Sequence, residues 1–225
     1  MNDSAIELSQ RDQLLDLARR TVEDSGPEVL RARALTAAVG TSTQAIYTHF
    51  GGMPGLFEAI VADGFARFAS HVAAVPEGDD AVADFFAKGR AYSEWALTHP
   101  QLYRLMFGLT GGGQRQHFGL EVSTGGSVAN SPEAQSAVDV LVRSMGRVVD
   151  SGRIDPVDPL VAAGQFLSAT HGFVLLEIAG VFGAEGDGLA VALPLAVNLM
   201  MGLGDSREAA NASLRAVETV KGAPA

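Results

Sequence analysis

The stretch LRARALTAAVGTSTQAIYTHF, residues 30–50, contains two short apolar stripes on either side of Gly40. In each stripe the apolar residues recur four positions apart, which is the spacing of one face of an α-helix. The pattern predicts helices over residues 33–39 and 43–50. Glycine readily adopts the positive φ that ends a helix, so Gly40 would end the first, and Ser42 is placed to cap the second. Two short helices joined by a tight turn make a helix-turn-helix.

Helices this short are marginal on their own, so neighbouring helices must hold them in place. Apolar spacing predicts one flanking helix that ends at residues 25–27, Ser-Gly-Pro, and another that begins near Pro54. We therefore predict a three-helix helix-turn-helix domain over residues 1–52. Residues 53–225 form a second, larger helical domain, in which residues 53–75 are a connecting helix.

The rest of the chain also has helical periodicity and lacks the alternation of a strand, which predicts an all-α fold. Cap residues, prolines and apolar runs mark the later helices, which are predicted to begin at Asp79 or Asp80, Gln101, Ser131, Asp158 and Leu189. Residues 111–130 are rich in Gly, Ser and Thr, which predicts a loop. The tail, residues 205–225, is predicted to be partly disordered and is given no role.

The composition limits the class of protein. Of the 225 residues, 47% are hydrophobic, enough for a large core, and the absence of Cys excludes disulfides, thiolate metal sites and a Cys nucleophile. Residues 1–13 lack the apolar run of a secretory signal. Residues 160–183 and 189–203 are apolar, but polar residues interrupt them, and a membrane span needs about 20 predominantly apolar residues. We expect buried helices in a soluble, cytoplasmic protein that makes no membrane contact.

The charge of the chain is unevenly distributed. The formal net charge is −10, yet no Asp or Glu occurs between Val29 and Phe57. A surface that enters a DNA groove must not place carboxylates near phosphates. The second short helix presents hydrogen-bonding side chains without negative charge, which is typical of a DNA-reading helix, although a merely solvated face has the same composition.

The longer segment LRARALTAAVGTSTQAIYTHFGGMPGLFEAI, residues 30–60, resembles the DNA-binding domain of the TetR family of bacterial transcriptional regulators. The shared features are the Ala-rich helix, VGTS, the aromatic residues of IYTHF and a Gly-x-x-x-Leu-Phe entry to the next helix. The resemblance implies phosphate contacts for Tyr47 and His49, a base or phosphate contact for Arg33, and base-facing positions on the second short helix. The predicted DNA-binding residues are Arg33, Ser42, Thr43, Gln44, Ala45, Tyr47, Thr48 and His49.

This chain departs from the family pattern at Met53. Family members commonly carry a Lys there, at the start of the connecting helix, where it would contact a phosphate. Because Met53 supplies no charge, we expect DNA binding to depend less on salt, by about one unit of salt slope for the lost contact.

Two C-terminal segments, HPQLYRLMFG at residues 99–108 and ATHGFVLLEIAG at residues 169–180, resemble the ligand-binding domain of one TetR subgroup. That subgroup is named for a Trp-His-Gly motif, and this chain has Thr170 in place of the Trp. The resemblance implies a small-molecule pocket and a dimer interface. The aromatic and apolar residues of this half suit the lining of a pocket for an apolar effector, and they suit an ordinary core equally well.

The predicted ligand-binding residues are Phe86, Tyr92, Trp95, Tyr103, Met106, Phe107, Phe166 and His171. Three polar residues interrupt the apolar stripes and are candidates for contacts to an effector, namely Gln165, His171 and Glu177. A packed, hydrogen-bonded position in the core is the alternative for His171.

The last two long helices, residues 158–183 and 189–203, are apolar on all sides and rich in Gly and Ala. A helix with this composition needs burial on all sides. A four-helix bundle between two subunits would supply it and predicts a homodimer with a palindromic operator. Burial entirely within one subunit is the alternative.

The sequence contains no recognisable catalytic motif, and its scattered His residues do not have metal-ligand spacing, so we expect neither enzyme activity, nor a cofactor, nor a metal. The prediction is a ligand-responsive DNA-binding transcriptional regulator, a repressor that a small hydrophobic molecule releases from its operator. The alternative is a helical ligand- or partner-binding protein without sequence-specific DNA binding.

Overall fold

A computed structural model describes residues 9–110, 131–183 and 188–220, and within these ranges the secondary structure is helical and contains no strand. The all-α prediction is confirmed. A short 3-10 helix, Pro27–Val29, follows the first α-helix. The α-helices are α1 (Gln10–Ser25), α2 (Ala32–Val39), α3 (Gln44–Phe50), α4 (Met53–Ala73), α5 (Ala81–Thr98), α6 (Pro100–Met106), α7 (Pro132–Asp150), α8 (Pro159–Ile178), α9 (Leu189–Gly202) and α10 (Arg207–Val220).

Side chains cap three of the later helices at the positions that the sequence predicts. The carboxylate of Asp80 accepts hydrogen bonds from the N–H groups of Val82 and Ala83 at the start of α5, 3.0 and 3.1 Å long. Ser131 caps α7 and Asp158 caps α8 in the same way. These caps satisfy N–H groups that have no partner within a helix, which fixes where each helix begins.

The turn between α2 and α3 contains one confirmed and one wrong prediction. Gly40 ends α2 in the left-handed region, with φ of 76°. Ser42 does not cap α3. The N-cap residue is Thr43, which already has helical angles (φ −60°, ψ −21°) and makes no side-chain cap bond. Instead, the carbonyl oxygen of Ser42 accepts from the N–H of Ala45 at 2.9 Å, so the backbone rather than the hydroxyl closes the first turn.

The chain forms two compact units, and the described residues of the first are 9–65 and 99–110. This unit contains α1, α2, α3, the first part of α4, and α6. The core includes the fully buried Leu14 of α1 and Leu56 and Ile60 of α4. Helix α6 adds Leu102 and Tyr103, which are also fully buried. The first unit therefore includes α4 only as far as residue 65, and it also includes α6. The sequence prediction instead places a domain boundary between residues 52 and 53 and assigns α6 to the second domain.

The second unit is built around α5, with α7, α8 and α10 packed against it and α9 in contact with α8 and α10. Its described residues are 66–98, 131–183 and 188–220. The predicted loop at residues 111–130 lies outside the described residues. Helix α8 ends at Ile178, earlier than the predicted residue 183, because the chain turns at Gly180, which has φ of 74°.

The prediction of a partly disordered tail is wrong for residues 207–220, which form α10. The side chains of Ala210, Ser213 and Val217 are buried and lie three or four positions apart, on the face of α10 that packs against the other helices of the second unit. The hydroxyl of Ser206 accepts from the N–H of Ala209 at 3.1 Å and caps the helix. Residues 221–225 lie outside the described residues.

A polar network ties α10 to the rest of the second unit. The guanidinium of Arg153 donates to both carboxylate oxygens of Asp205, at 3.2 and 2.7 Å, and the Asp205 side chain is 3% exposed. The hydroxyl of Ser213 donates to Asp80 at 2.6 Å, and Arg153 lies 3.4 Å from the same carboxylate. Burial raises the pKa of Asp80, but the hydrogen bonds from Ser213 and from backbone N–H groups, with the charge of Arg153, lower it on balance.

Candidate nucleic-acid interface and ligand cavity

Helix α3 presents most of its predicted DNA-reading side chains to solvent. Thr43, Gln44 and Thr48 are exposed, and Tyr47 has 64% of its surface exposed. An aromatic side chain this exposed gains nothing from the core, and its phenol O–H is free to bind a polar partner. The exposure that base and phosphate contacts require is present, and the contacts themselves remain predictions.

Ala45 is a correction to the predicted interface, because its side chain is only 7% exposed. It lies beside Ile46, which is 1% exposed. The apolar face of a helix spans more than about 100°, which is the angle between neighbouring residues. The residue next to the most buried one in the sequence can therefore also face the core. Ala45 therefore packs inward and does not face the bases.

The segment between Val29 and Phe57, which contains α3, has no Asp or Glu. Arg33 is exposed and makes no hydrogen bond or ion pair within the described parts of the chain, whereas Arg31 donates to the carbonyl oxygens of Glu28 and Leu30. Arg33 is thus the cation of this segment that is available to an external phosphate or base edge.

The first turn of α1 also belongs to this surface, which sequence reasoning missed. His49 is partly exposed, and its Nε2 lies 3.3 Å from the Oε1 of Gln10. The guanidinium of Arg11 lies 5.3 Å from the centre of the Phe50 ring. Both α1 residues are far from α3 in the sequence and become its neighbours only when α1 packs across the end of the helix.

A close backbone approach fixes how α3 joins α4. A Cβ atom at Gly55 would overlap the carbonyl oxygen of Phe50, so only glycine fits at this position. Gly51 ends α3 in the left-handed region with φ of 74°. The N–H of Gly51 donates to the carbonyl of Tyr47 at 2.9 Å. The tight junction joins α3 closely to a longer helix, which a seven-residue helix needs for its own stability.

The second unit contains a cavity of about 460 Å³, within the range of small-molecule sites. Helices α5, α8, α9 and α10 form its walls, with one residue from α7. The walls are mainly apolar. The lining residues include Phe85, Phe86, Tyr92, Leu141, Phe166, Leu167, Phe173, Leu193, Leu199, Leu214 and Val217.

Three of the eight predicted ligand-binding residues line this cavity, namely Phe86, Tyr92 and Phe166. Trp95 does not, because its ring packs edge-on against Phe68 at 5.2 Å in the core of the second unit. A residue's apolar character identifies it as buried, and only the packing decides whether it meets a cavity or another side chain.

Tyr103, Met106 and Phe107 are also not in the cavity, because α6 belongs to the first unit. Tyr103 and Met106 are fully buried there. The ring of Phe107 lies 4.7 Å from that of Tyr103 and 5.7 Å from that of Phe65. The structure therefore does not bring these three residues to the cavity, because helix α6 packs into the helix-turn-helix unit.

His171 is partly buried on α8 and is not a lining residue. Burial lowers its pKa, since desolvation disfavours the imidazolium. The neutral form is therefore favoured at neutral pH, which fits the alternative of a packed core histidine. Of the other polar candidates, Gln165 is exposed outside the cavity, and Glu177 lies in its wall.

Helices α8 and α9 leave apolar side chains on the outside of the chain. Leu176 is 45% exposed on α8, and Val191 is 47% exposed on α9. By length and composition α8 could cross a membrane, although one such helix is weak evidence for a span. In the most apolar stretch of α8, 28% of the residues are buried, so most of it is not covered by the described residues. Within the described residues, these side chains are only partly covered, and burial within one subunit or between two stays open.

Comparison with known families decides what this arrangement is. Residues 14–60 match the model of bacterial regulatory proteins of the tetR family, and residues 85–196 match the tetracyclin repressor-like C-terminal domain. The chain belongs to the TetR family. It is therefore a ligand-responsive, DNA-binding transcriptional regulator, as the sequence predicts. The more specific resemblance to the Trp-His-Gly subgroup stays a prediction.

Two relatives of this TetR-family protein are named as HTH-type transcriptional regulators. An uncharacterized HTH-type transcriptional regulator of Mycobacterium tuberculosis, Rv0681, is 28% identical over 174 residues, which cover 76% of this chain and 71% of the relative. The HTH-type regulator Rv1816 of the same species is 29% identical over 101 residues, which cover 43% of this chain and 42% of the relative.

Solved structures agree with the fold. A protein of unknown function from Rhodococcus sp. RHA1 has a TM-score of 0.71 and 26% identity, with 91% of this chain and 100% of that chain covered. The regulator RolR, solved with its ligand resorcinol, has a TM-score of 0.60 and 16% identity, with 92% and 93% covered. At that identity the likeness to RolR shows the fold alone.

Among the residues that the structure describes, no group of three or more His, Asp or Glu side chains is placed to hold a metal ion. The TetR family is a family of regulators, so the functional surfaces to explain are the exposed face of α3 and the cavity of the second unit.

Proposed function

We propose that this TetR-family regulator is a homodimeric, cytoplasmic repressor that binds a palindromic operator through α3 and is released by a small apolar molecule. The observation that carries the proposal is the exposed, carboxylate-free face of α3, with Tyr47 64% exposed and Arg33 unpaired within the described residues. An acidic chain that has no Asp or Glu between Val29 and Phe57 offers a polyanion a segment without charge repulsion.

The exposed apolar sides of α8 and α9 support the dimer. Monomeric proteins rarely expose large contiguous apolar patches, and two copies of these helices would bury each other in a bundle. A two-fold dimer presents two copies of α3, which must lie about 34–36 Å apart, or a multiple of that distance, to enter successive major grooves. The operator then has the same two-fold symmetry.

The cavity supports control by an apolar effector. A ligand releases DNA only if it binds the state that cannot bind DNA more tightly than the state that can. Helix α4 is the element through which the change would pass, since residues 53–65 belong to the first unit and residues 66–73 to the second.

Selection of duplexes from a random-sequence DNA library tests the DNA-binding function. We expect a two-fold-related motif from the unchanged protein, and a loss of affinity for it of about 30-fold or more in Tyr47→Ala and in Arg33→Ala, since the dimer loses two contacts of roughly 1–3 kcal/mol each. Arg143→Ala is the matched control, because Arg143 is exposed on α7, in the other unit. Failure of the folded protein to enrich any motif at low salt would favour a ligand- or partner-binding protein that does not read DNA.

Sedimentation of a variant on the apolar side of α8 tests the dimer. We expect Leu176→Glu to convert the dimer to a monomer at micromolar concentration, because each subunit would place a charge in an apolar interface. Val29→Glu is the control, since Val29 is 47% exposed but lies before α2. A Leu176→Glu protein that sediments as the same dimer as the control would contradict an interface through α8.

A further inference from the structure

Glu177 is a carboxylate in the wall of an otherwise largely apolar cavity. Its Oε2 atom is buried and accepts no hydrogen bond from any described residue. Buried polar atoms in native proteins nearly always have a partner, and a buried carboxylate oxygen without one is strongly unfavourable. The missing donor is the feature that calls for an explanation.

The atoms that cover this oxygen are close to it but do not satisfy it. A Cβ atom at Gly188 would overlap Oε2 of Glu177 and would lie 2.9 Å from the ring of Phe173. Gly188 is the N-cap residue of α9, so the start of that helix lies beside the carboxylate. These neighbours cover the oxygen without giving it a hydrogen-bond donor.

The cation in the cavity wall is already engaged. Arg90 donates to the carbonyl oxygen of Val217 at 2.9 Å, and its Nε lies 3.7 Å from Oε1 of Glu94. The side chains of Arg90 and Glu94 are 37% and 48% exposed, so this pair meets solvent. With the charges of Arg90 and Glu94 offsetting each other, Glu177 leaves the cavity wall with one uncompensated negative charge.

We propose that the effector of this regulator is an apolar cation, an aromatic or alkyl amine whose protonated nitrogen pairs with the Glu177 carboxylate in the cavity wall. The inference rests on the proposed function, in that the cavity is the effector site. The apolar walls formed by residues such as Phe86, Phe166 and Leu193 hold the hydrocarbon part, and Glu177 selects the charged end. An ammonium supplies the opposite charge that the carboxylate lacks.

Titration calorimetry with matched compounds tests this proposal on the full-length protein. The set consists of aromatic and alkyl amines with the alcohol and the carboxylate of each skeleton, for example 1-naphthylmethylamine, 1-naphthylmethanol and 1-naphthoate. We expect the amines to bind about 10- to 100-fold more tightly than the alcohols, the range of one charge-assisted hydrogen bond. In Glu177→Gln, which retains the shape of the side chain, this preference should disappear while the alcohols bind as before.

Glu94→Gln is the matched control. Its carboxylate also faces the cavity, but it is about half exposed and paired with Arg90, so solvent screens its charge. We expect this variant to change the affinity for amines by less than about threefold. Thermal unfolding of both variants without ligand verifies that each is folded.

The possible outcomes separate this inference from the proposed function. Equal binding of amines and alcohols, tighter binding of carboxylates, or an equal loss for all compounds in Glu177→Gln would overturn the role of Glu177 and leave the cavity as the effector site. If no member of the set binds the folded protein, the cavity fails as an effector site and the inference fails with it. Operator binding, which requires no effector, is measured separately and is unaffected by either result.

Discussion

Gly55→Ala is expected to lower the free energy of unfolding of the helix-turn-helix unit by about 3 kcal/mol and to abolish measurable operator binding. The added Cβ would overlap the carbonyl oxygen of Phe50 and lie 3.0 Å from its carbonyl carbon. Both are backbone atoms, which cannot rotate aside as a side chain does. Either α3 or the start of α4 must therefore move, and the reading face moves with it.

Denaturant unfolding followed by circular dichroism, together with operator binding, measures this effect. Gly146→Ala is the matched control, because Gly146 lies inside α7 and a Cβ there would meet nothing within 4 Å. Alanine should stabilise that helix by about 0.5–1 kcal/mol. If Gly55→Ala unfolds at the same denaturant concentration as the unchanged protein and binds the operator equally well, the close junction of α3 and α4 is not a constraint.

Arg153→Met is expected to lower the free energy of unfolding of the second unit by about 3–5 kcal/mol. The Asp205 side chain is 3% exposed, and Arg153 donates to both of its oxygens. Among the described residues, removal of the arginine leaves the buried carboxylate with the N–H of Ser206, 2.8 Å from Oδ1, as a donor. The loss is large because the desolvation of Asp205 remains while the attraction that offset it is gone.

A double-mutant cycle measures this interaction. Asp205→Leu combined with Arg153→Met should recover much of the lost stability, since the pair is replaced by apolar side chains. Arg20→Met is the control, because Arg20 is 62% exposed in its pair with Asp16 and should contribute about 0–1 kcal/mol. Equal losses in Arg153→Met and Arg20→Met would mean that the network joining α10 to the second unit contributes no more than a surface ion pair.

The sequence by itself determined the local features of this protein. The four-residue apolar spacing, Gly40 at the end of α2 and the caps at Asp80, Ser131 and Asp158 are interactions among residues close in the chain. The resemblance of residues 30–60 to the TetR family depends on the same local pattern. The helix-turn-helix and the all-α fold could therefore be predicted without knowledge of what packs against what.

The tertiary structure decided which partner each buried side chain has. Periodicity indicated that Tyr103 and Trp95 are buried, but not that one packs in the first unit and the other against Phe68, away from the cavity. The same limit applies to the tail, where Ser206 and the spaced apolar residues of α10 were a usable signal that was missed.

Glu177 shows the limit most directly. The sequence marked it as a polar residue in an apolar helix, yet its meaning depends on the start of α9 and on a cavity wall formed by residues distant in the chain. The free energy of a carboxylate depends on the solvent and the hydrogen-bond donors around it. Those surroundings are set by folding, so the sequence alone does not show them. Local sequence determined the helices of this regulator, and only their packing decided where its cavity lies and which charge that cavity leaves without a partner.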